Sequence, residues 1–237
     1  MRFVSAVFAL IAAAIALPAA AQLIEVPGRA AAPTTTDTEN LWLLDLSNGG
    51  RVTIWLRPDV APKMVERVKA LTRRKFYDNI LFHRVIDGFM AQGGDPKGDG
   101  TGGSELPDLE AEFNYLPHVR GAVSAAREGA PEGATPEQKK KAESSANSQF
   151  FIIFSPRLSL DRDYTVFGRV IDGMQHVDAI ERGEPPANPT RIVRAWIGSD
   201  NPPRYVAPVA APAPAPAVMV DPLSLPPGAG RKVPPAK

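Results

Sequence analysis

Short segments with β-strand character occupy most of the chain between residues 40 and 198. In each segment apolar residues either alternate with polar ones or form a brief unbroken run, and turns rich in Gly, Asn or Asp separate them. Helical spacing of apolar residues is found at 61–74 and 173–182. Many strands with only two helices predict a small closed β-barrel capped by helices rather than a βαβ arrangement. The strands are predicted at 41–46, 52–56, 81–85, 89–92, 119–125, 149–154, 164–171 and 191–197.

The N-terminal end has the features of an export signal. Arg2 precedes an apolar run at residues 3–17, and small residues follow it, so we predict a signal peptide at 1–21 with cleavage before Gln22. The apolar run is too short to cross a membrane comfortably. We therefore expect no membrane span after cleavage, and a periplasmic or secreted protein. A retained N-terminal anchor is the alternative.

Three other segments differ from the predicted domain at residues 40–198. Residues 22–39 are rich in Ala, Pro and Thr and predict a flexible leader. Residues 199–237 contain Ala-Pro repeats and predict an extended, disordered tail. Inside the domain, residues 128–145 form a charged insertion, which we interpret as a short surface helix or a mobile segment. We hypothesise that this insertion borders the substrate and tunes selectivity.

The composition excludes several classes of function. Lys plus Arg number 27 and Asp plus Glu number 26, so no basic field favours a nucleic-acid partner. The absence of cysteine excludes disulfides, thiolate catalysis and cysteine-bound zinc. His83, His118 and His176 lack metal-ligand spacing, and no Gly-x-Ser-x-Gly motif is present. We therefore interpret the histidines as packing or surface residues and expect no metal and no cofactor.

The run FHRVIDGFMAQGGD, which begins at Phe82, combines a guanidinium, large apolar groups and a neutral amide. Its Asp-Gly pair predicts a tight turn between two strands. Alternation along the first strand places Arg84 on the same face as Phe82 and Ile86. A guanidinium among apolar neighbours must find acceptors or stay open to water. It belongs either to a groove that holds a peptide or to a surface arginine paired with Asp87 or Asp95.

The same run resembles the signature of the cyclophilin family of peptidyl-prolyl cis-trans isomerases. The shared pattern is F-H-R-x-I-x-G-F-M-x-Q-G-G-D, and four further blocks follow in the family's order. These are GTGG from Gly100, GAVSAAR from Gly121, NSQFFI from Asn147 and VFGRV from Val166. The resemblance covers roughly residues 40–197.

The resemblance implies a mainly β fold, a closed eight-stranded antiparallel β-barrel capped by two α-helices. It also implies isomerisation of X-Pro bonds in proline-containing unfolded or extended polypeptides, by a protein that we expect to be a monomer. Arg84 would donate to the proline nitrogen, with Phe89 and Gln92 as further catalytic residues. The residues implied in substrate binding are Met90, Gly100, Ala126, Arg127, Gln149, Phe151, Leu160 and Tyr164.

Three positions depart from the pattern of many eukaryotic members of that family. This chain has Ser159 in place of a tryptophan, Tyr164 in place of a histidine and Arg127 in place of an asparagine. The missing tryptophan predicts weak binding of the immunosuppressant cyclosporin. Catalysis is expected to persist, because Tyr164 can still pack and donate a hydrogen bond.

Two functions remain compatible with these residues. The first is an exported foldase that accelerates folding steps limited by proline isomerisation, which otherwise take tens of seconds. The second is a proline-peptide binding module or holdase chaperone with little turnover. The presence of Arg84 favours the first.

Overall fold

The computed structural model describes residues 31–206. The predicted signal peptide, the first part of the predicted leader and residues 207–237 of the predicted tail lie outside the described residues. The strands are β1 (Leu41–Leu46), β2 (Gly50–Leu56), β3 (Arg84–Ile86), β4 (Met90–Gly93), β5 (Ala122–Ala125), β6 (Phe150–Ile153), β7 (Val166–Asp172) and β8 (Ile192–Ile197). The helices are α1 (Pro62–Arg73), α2 (Pro136–Glu143) and α3 (Met174–Asp178), and short 3-10 turns lie at Thr38–Asn40, Leu158–Leu160 and Gly198–Asp200.

The eight strands form one sheet in the order β3-β4-β6-β5-β7-β2-β1-β8, and every neighbouring pair is antiparallel. The β1–β2 hairpin is the most regular part, with buried and half-buried residues in strict alternation on both strands. Its register runs from Leu41 opposite Trp55 to Leu46 opposite Gly50. The prediction of a mainly β fold with eight antiparallel strands is confirmed.

The predicted closure of the sheet into a barrel is wrong. The edge strands β3 and β8 do not form a ladder, and the sheet is a curled half-barrel whose two edges approach each other. An isolated bridge joins Leu81 to Arg191, and the Phe82 N–H donates to the Thr190 carbonyl at 2.9 Å. The ladder stays open because Gly183 pairs with Val85 on the edge of β3, and β8 meets only the residues before that strand.

Three helices accompany the sheet, where two were predicted as caps and a short surface helix was one of two interpretations of the charged insertion. The prediction for α1 is confirmed, since Met64, Val65, Val68 and Leu71 are all buried on its inner side. The third helix, α2, lies in the charged insertion and begins at a capping box, with the Thr135 hydroxyl accepting from the Gln138 N–H.

The main core fills the concave side of the sheet. Trp42 is fully buried at its centre and makes edge-on contacts with Tyr77 at 5.1 Å and Phe150 at 4.9 Å between ring centroids. Aromatic pairs in this arrangement contribute about 0.5–1.5 kcal/mol beyond the area that they bury. This packing gives the strands a rigid inner surface.

The outer face of the sheet carries a second, smaller apolar cluster. On β4, Met90 belongs to the outer cluster while Ala91 belongs to the main core. On β6, Phe151 and Phe150 divide in the same way, because successive strand residues point to opposite faces. The smaller cluster forms the floor of the candidate site.

The predicted face of Phe82 is wrong. Phe82 is fully buried in the main core, whereas Arg84 is exposed and Ile86 packs against the outer cluster. Strict alternation begins only where the strand begins, at Arg84, so the face of Phe82 could not be extrapolated from it.

Candidate functional site

Strand pairing sets three key side chains in a row across the outer face. Arg84 on β3 lies opposite Gln92 on β4, and Gln92 lies opposite Phe151 on β6. Directly opposed residues in antiparallel strands point to the same face, so a guanidinium, an amide and an aromatic ring become neighbours. The row comes from segments that are far apart in the chain.

A cavity of about 330 Å³ opens beside this row. Nine of the predicted site residues line it, and six of them are apolar or aromatic. These are Arg84, Phe89, Met90, Gln92, Ala126, Arg127, Phe151, Leu160 and Tyr164. Leu160 reaches the cavity from the 3-10 turn at Leu158–Leu160. We call this cavity the apolar pocket. It has room for a small ring, and the guanidinium groups of Arg84 and Arg127 border it.

A second cavity of about 540 Å³ adjoins the apolar pocket and shares Gln92, Ala126 and Arg127 with it. We call it the polar pocket, because glycine-loop backbone and polar side chains such as Asn147 line most of it. The two remaining predicted site residues, Gly100 and Gln149, lie here. The structure thus brings all the predicted residues to one groove with two compartments.

The guanidinium of Arg84 is held at one end. Its Nε donates to Oε2 of Glu184 at 2.7 Å, and Nη1 lies 3.4 Å from Oε1 of Gln92. Nη2 makes no hydrogen bond within residues 31–206. Neither acidic residue suggested by the sequence contacts Arg84. Asp87 pairs with Arg182 at 3.2 Å, and Asp95 accepts backbone N–H groups of its own loop.

Sequence reasoning missed Glu184. It lies 100 residues from Arg84 in the chain, in a segment with no motif. A carboxylate near the end of the domain gives no local signal that it faces an arginine, so only the folded chain reveals the pair.

The amide of Gln149 fixes the glycine-rich loop at the rim of the polar pocket. Its Nε2 donates to the carbonyls of Gly100 at 2.9 Å and Gly102 at 2.7 Å. The opposite side of the loop is held by the buried carboxylate of Asp95, which accepts from the Gly100 N–H at 2.6 Å. The loop therefore has a defined shape before any ligand binds.

Phe151 is supported from behind by His118. The two rings stack with an interplanar angle of 16° and centroids 6.2 Å apart, and Tyr164 contacts Phe151 edge-on at 5.6 Å. Nδ1 of His118 lies 2.8 Å from Oδ1 of Asp161. Burial lowers the pKa of His118 below its usual 6.5, although the hydrogen bond with Asp161 opposes this. The sequence predicted a packing or surface role for each histidine, and His118 has the packing role.

Arg127 lines both pockets. Its guanidinium lies 4.5 Å from the centre of the Tyr164 ring, and its Nε donates to the Asp163 carbonyl at 3.2 Å. A cation over an aromatic face is stabilised by about 0.5–1 kcal/mol at exposed sites. The arginine that departs from the eukaryotic pattern thus packs on the tyrosine that also departs from it.

The described residues offer neither a metal cluster nor a membrane helix. Between residues 31 and 206 no group of three or more His, Cys, Asp or Glu side chains is placed to hold a metal ion. Within the same range no helix is long and apolar enough to cross a membrane.

Fold and site together define a class: an antiparallel β protein with an apolar, arginine-edged groove on its outer face. The family model for cyclophilin type peptidyl-prolyl cis-trans isomerases/CLD matches residues 43–197. The chain therefore belongs to this family, and it is an enzyme of the peptidyl-prolyl cis-trans isomerase class.

Curated relatives and solved structures agree with this assignment. A probable peptidyl-prolyl cis-trans isomerase of Brucella suis is 42% identical over 201 residues, which cover 78% of this chain and 96% of the relative. Peptidyl-prolyl cis-trans isomerase B of Bacillus subtilis is 36% identical over 140 residues, 59% of this chain and 89% of the relative. The crystal structure of cyclophilin AquaCyp293 from Hirschia baltica matches with a TM-score of 0.60 and 28% identity, over 70% of this chain and 77% of that one.

A second similar structure was solved with a proline peptide. It is a Cryptosporidium parvum cyclophilin type peptidyl-prolyl cis-trans isomerase in the presence of the dipeptide Ala-Pro. It matches with a TM-score of 0.58 and 27% identity, over 66% of this chain and 98% of that one.

Proposed function

We propose that this chain accelerates the cis-trans isomerisation of X-Pro bonds in exported polypeptides, by a mechanism without covalent steps. The obstacle is the partial double-bond character of the imide, which gives a barrier of about 18–20 kcal/mol. Lowering it requires only that the twisted imide be bound more tightly than the planar one. Binding, orientation and electrostatics are therefore the whole of the chemistry that the residues must supply.

The apolar pocket supplies the first part of the effect. Phe89, Met90, Phe151 and Leu160 line it together and would surround the proline ring. The planar imide owes its stiffness to a charge-separated resonance form, which an apolar environment disfavours. Moving the bond from water into this pocket therefore weakens its double-bond character.

Arg84 supplies the second part. When the bond twists, the proline nitrogen becomes pyramidal and regains a lone pair that a donor can bind. Nη2 of Arg84 has no partner among the described residues, and the side chain borders the same cavity as Phe89 and Phe151. A donor that acts only in the twisted state lowers the barrier without tightening ground-state binding. The observation that carries the proposal is that an arginine with an Nη2 unpaired within residues 31–206 borders the same cavity as the apolar side chains.

The polar pocket would hold the chain that flanks the proline. Gln92 and Gln149 line it, and Gly100 brings backbone close to the groove. The Ala126 N–H is already used, since it donates to the Gln149 carbonyl at 3.0 Å. A peptide would therefore meet the Ala126 carbonyl or the Arg127 N–H.

The clients would be unfolded or extended polypeptides that contain proline. The Ala-Pro dipeptide in the similar parasite structure supports a proline ligand for this groove. We propose that the enzyme is a monomer. We also propose that it acts in the periplasm or after secretion, because residues 1–21 have the features of a signal peptide. Cell fractionation with sequencing of the mature N-terminus tests the location, and a mature chain that begins at Met1 would contradict it.

Exchange NMR on a short X-Pro peptide tests the activity. Wild-type protein is expected to raise the cis-trans exchange rate at catalytic concentrations, and Arg84→Ala is expected to lower that effect at least about tenfold with the fold intact. Binding of the peptide with no rate increase by the wild type would instead identify a holdase.

A further inference from the structure

We infer that Glu184 is a positioning residue for Arg84. Its carboxylate fixes the direction of the guanidinium, so that the Nη side faces the apolar pocket. This inference rests on the proposed role of Arg84 as the donor to the twisted imide. It adds a residue that touches neither substrate nor pocket, since Glu184 is absent from the lining of both cavities.

Backbone bonds place Glu184 beside Arg84. Gly183 forms an isolated antiparallel bridge with Val85, in which Gly183 N–H donates to the Val85 carbonyl at 2.9 Å and Val85 N–H donates back at 2.8 Å. Val85 directly follows Arg84 on the edge strand β3. The segment that carries Glu184 therefore covers that strand edge and fixes the register between the two side chains.

Gly183 is packed too tightly for any larger residue. Its φ is 146°, in the range that favours glycine, and an added Cβ would lie 2.6 Å from Cα of Pro186. The neighbouring Arg182 also anchors this segment, because its guanidinium packs over the Phe154 ring at 4.2 Å. Glu184 thus extends from a backbone that the two residues before it hold in place.

The geometry of the contact leaves the reactive side of Arg84 free. Glu184 takes Nε at 2.7 Å, and the weaker contact of Nη1 with Gln92 spans 3.4 Å. A guanidinium is a planar fork, so a partner on Nε restricts rotation about the outer bonds and defines where Nη1 and Nη2 point. A free arginine would spread its donors over many rotamers, and only some of these face the pocket.

Two effects of the carboxylate oppose each other. Its negative charge weakens the positive potential of Arg84 at the imide nitrogen, whereas its hydrogen bond orders the side chain. Both side chains are about half exposed, at 44% and 50%, so water screens the charge. The hydrogen bond acts at contact distance and is directional. The ordering of the Arg84 side chain therefore outweighs the weakening of its positive potential, and removal of Glu184 slows turnover.

A matched control lies on the same rim. Asp87 is a carboxylate three positions after Arg84, and it pairs with Arg182 at 3.2 Å rather than with Arg84. Asp87→Ala therefore removes an equal charge near the groove without touching the Arg84 side chain. Arg182 keeps its packing over the Phe154 ring, so the segment that carries Glu184 stays anchored. It should leave both turnover and substrate affinity unchanged.

The test is a double-mutant cycle followed by exchange NMR and a protease-coupled assay. Glu184→Ala should lower kcat about three- to fivefold with little change in KM, the size expected for one exposed charged hydrogen bond. Glu184→Gln keeps an acceptor for Nε and should recover most of the loss. In the Arg84→Ala background the Glu184→Ala change should alter kcat by less than about twofold, because its only target is gone.

The outcomes separate the two claims. If Arg84→Ala is slow but Glu184→Ala turns over like the wild type, the positioning role is overturned while the proposed function stands. The positioning role is equally overturned if Glu184→Ala costs as much in the Arg84→Ala background as in the wild type. If Arg84→Ala itself is as fast as the wild type, both claims fail together.

Discussion

The amide of Gln92 donates a hydrogen bond of 2.9 Å to Oε1 of Gln149, and this bond connects the two pockets. Gln92 borders both of them, while Gln149 holds the glycine loop through Gly100 and Gly102. Arg84 continues the chain of contacts on the other side of Gln92. One hydrogen-bonded line thus runs from the cationic edge of the apolar pocket to the loop at the far rim.

The first prediction concerns Gln149→Glu, a change of nearly equal shape. A carboxylate can still accept from Gln92, but it repels the carbonyls of Gly100 and Gly102, to which Gln149 now donates. We expect the free energy of unfolding to fall by about 1–3 kcal/mol, since two acceptors lose their donor. We also expect KM to rise as the loop shifts. Urea unfolding and steady-state kinetics measure the two effects.

The control for that change is Gln138→Glu in α2. Within residues 31–206 the Gln138 side chain uses only its Oε1, which accepts from the Thr135 N–H at 2.9 Å in the capping box. Glutamate fills this role equally well, so stability and kinetics should stay at the wild-type level. Equal behaviour of the two variants would show that the donor function of Gln149 is unimportant.

The second prediction concerns pH. Burial lowers the pKa of both His83 and His118 below the usual 6.5. Above pH 6.5 each is neutral in the folded and unfolded chain, and the full stability is present. As the pH falls from 6.5 towards the folded pKa, the unfolded chain takes up protons first. The free energy of unfolding should therefore fall, by at most about 1.4 kcal/mol per pH unit for each histidine.

His118→Phe tests the pH effect with the stacking on Phe151 retained. The variant should be less stable than the wild type at pH 8, because it loses the contact with Asp161. Between pH 6.5 and 5 its stability should depend less on pH than that of the wild type. Parallel curves for the two proteins would exclude His118 as a source of the dependence.

The third prediction concerns the charged insertion. Glu128 and Ser145, at its two ends, line the polar pocket, and the Glu128 N–H donates to the Ser145 hydroxyl at 2.7 Å. Replacing residues 130–143 by two glycines should keep this closure and remove α2, none of whose residues lines either pocket. We expect the ratio of kcat/KM between peptides of different sequence to change about threefold or more, because a peptide that extends from the polar pocket past Glu128 and Ser145 loses its contacts with the insertion.

The melting temperature of the shortened protein serves as its folding control. Since the two ends of the insertion already meet, a folded product with a similar melting transition is expected. Unchanged rates on every peptide in a panel that varies the residues around proline would refute a role for the insertion in selectivity.

Local patterns in the sequence predicted the strands and α1, whereas the residues that line the groove were implied by the resemblance to the cyclophilin family. Relations between distant segments were not predicted. The face of Phe82 depended on where β3 begins, and the open sheet edge depended on how residue 81 meets residue 191. Glu184 came to Arg84 through a backbone bridge at Val85, which has no sequence signature. Tertiary contacts of this kind arise only when the chain is folded, so pattern and spacing could not reveal them.

The most direct measurement of the central claim compares binding and turnover in one sample. Peptide titration gives the Kd of wild type and Arg84→Ala for an Ala-Pro peptide, and exchange NMR on the same samples gives the isomerisation rate. If Arg84 acts on the twisted imide, the variant keeps Kd within about threefold while its rate falls at least about tenfold. A rate that equals the wild type, or one that falls only in proportion to lost affinity, would contradict the account.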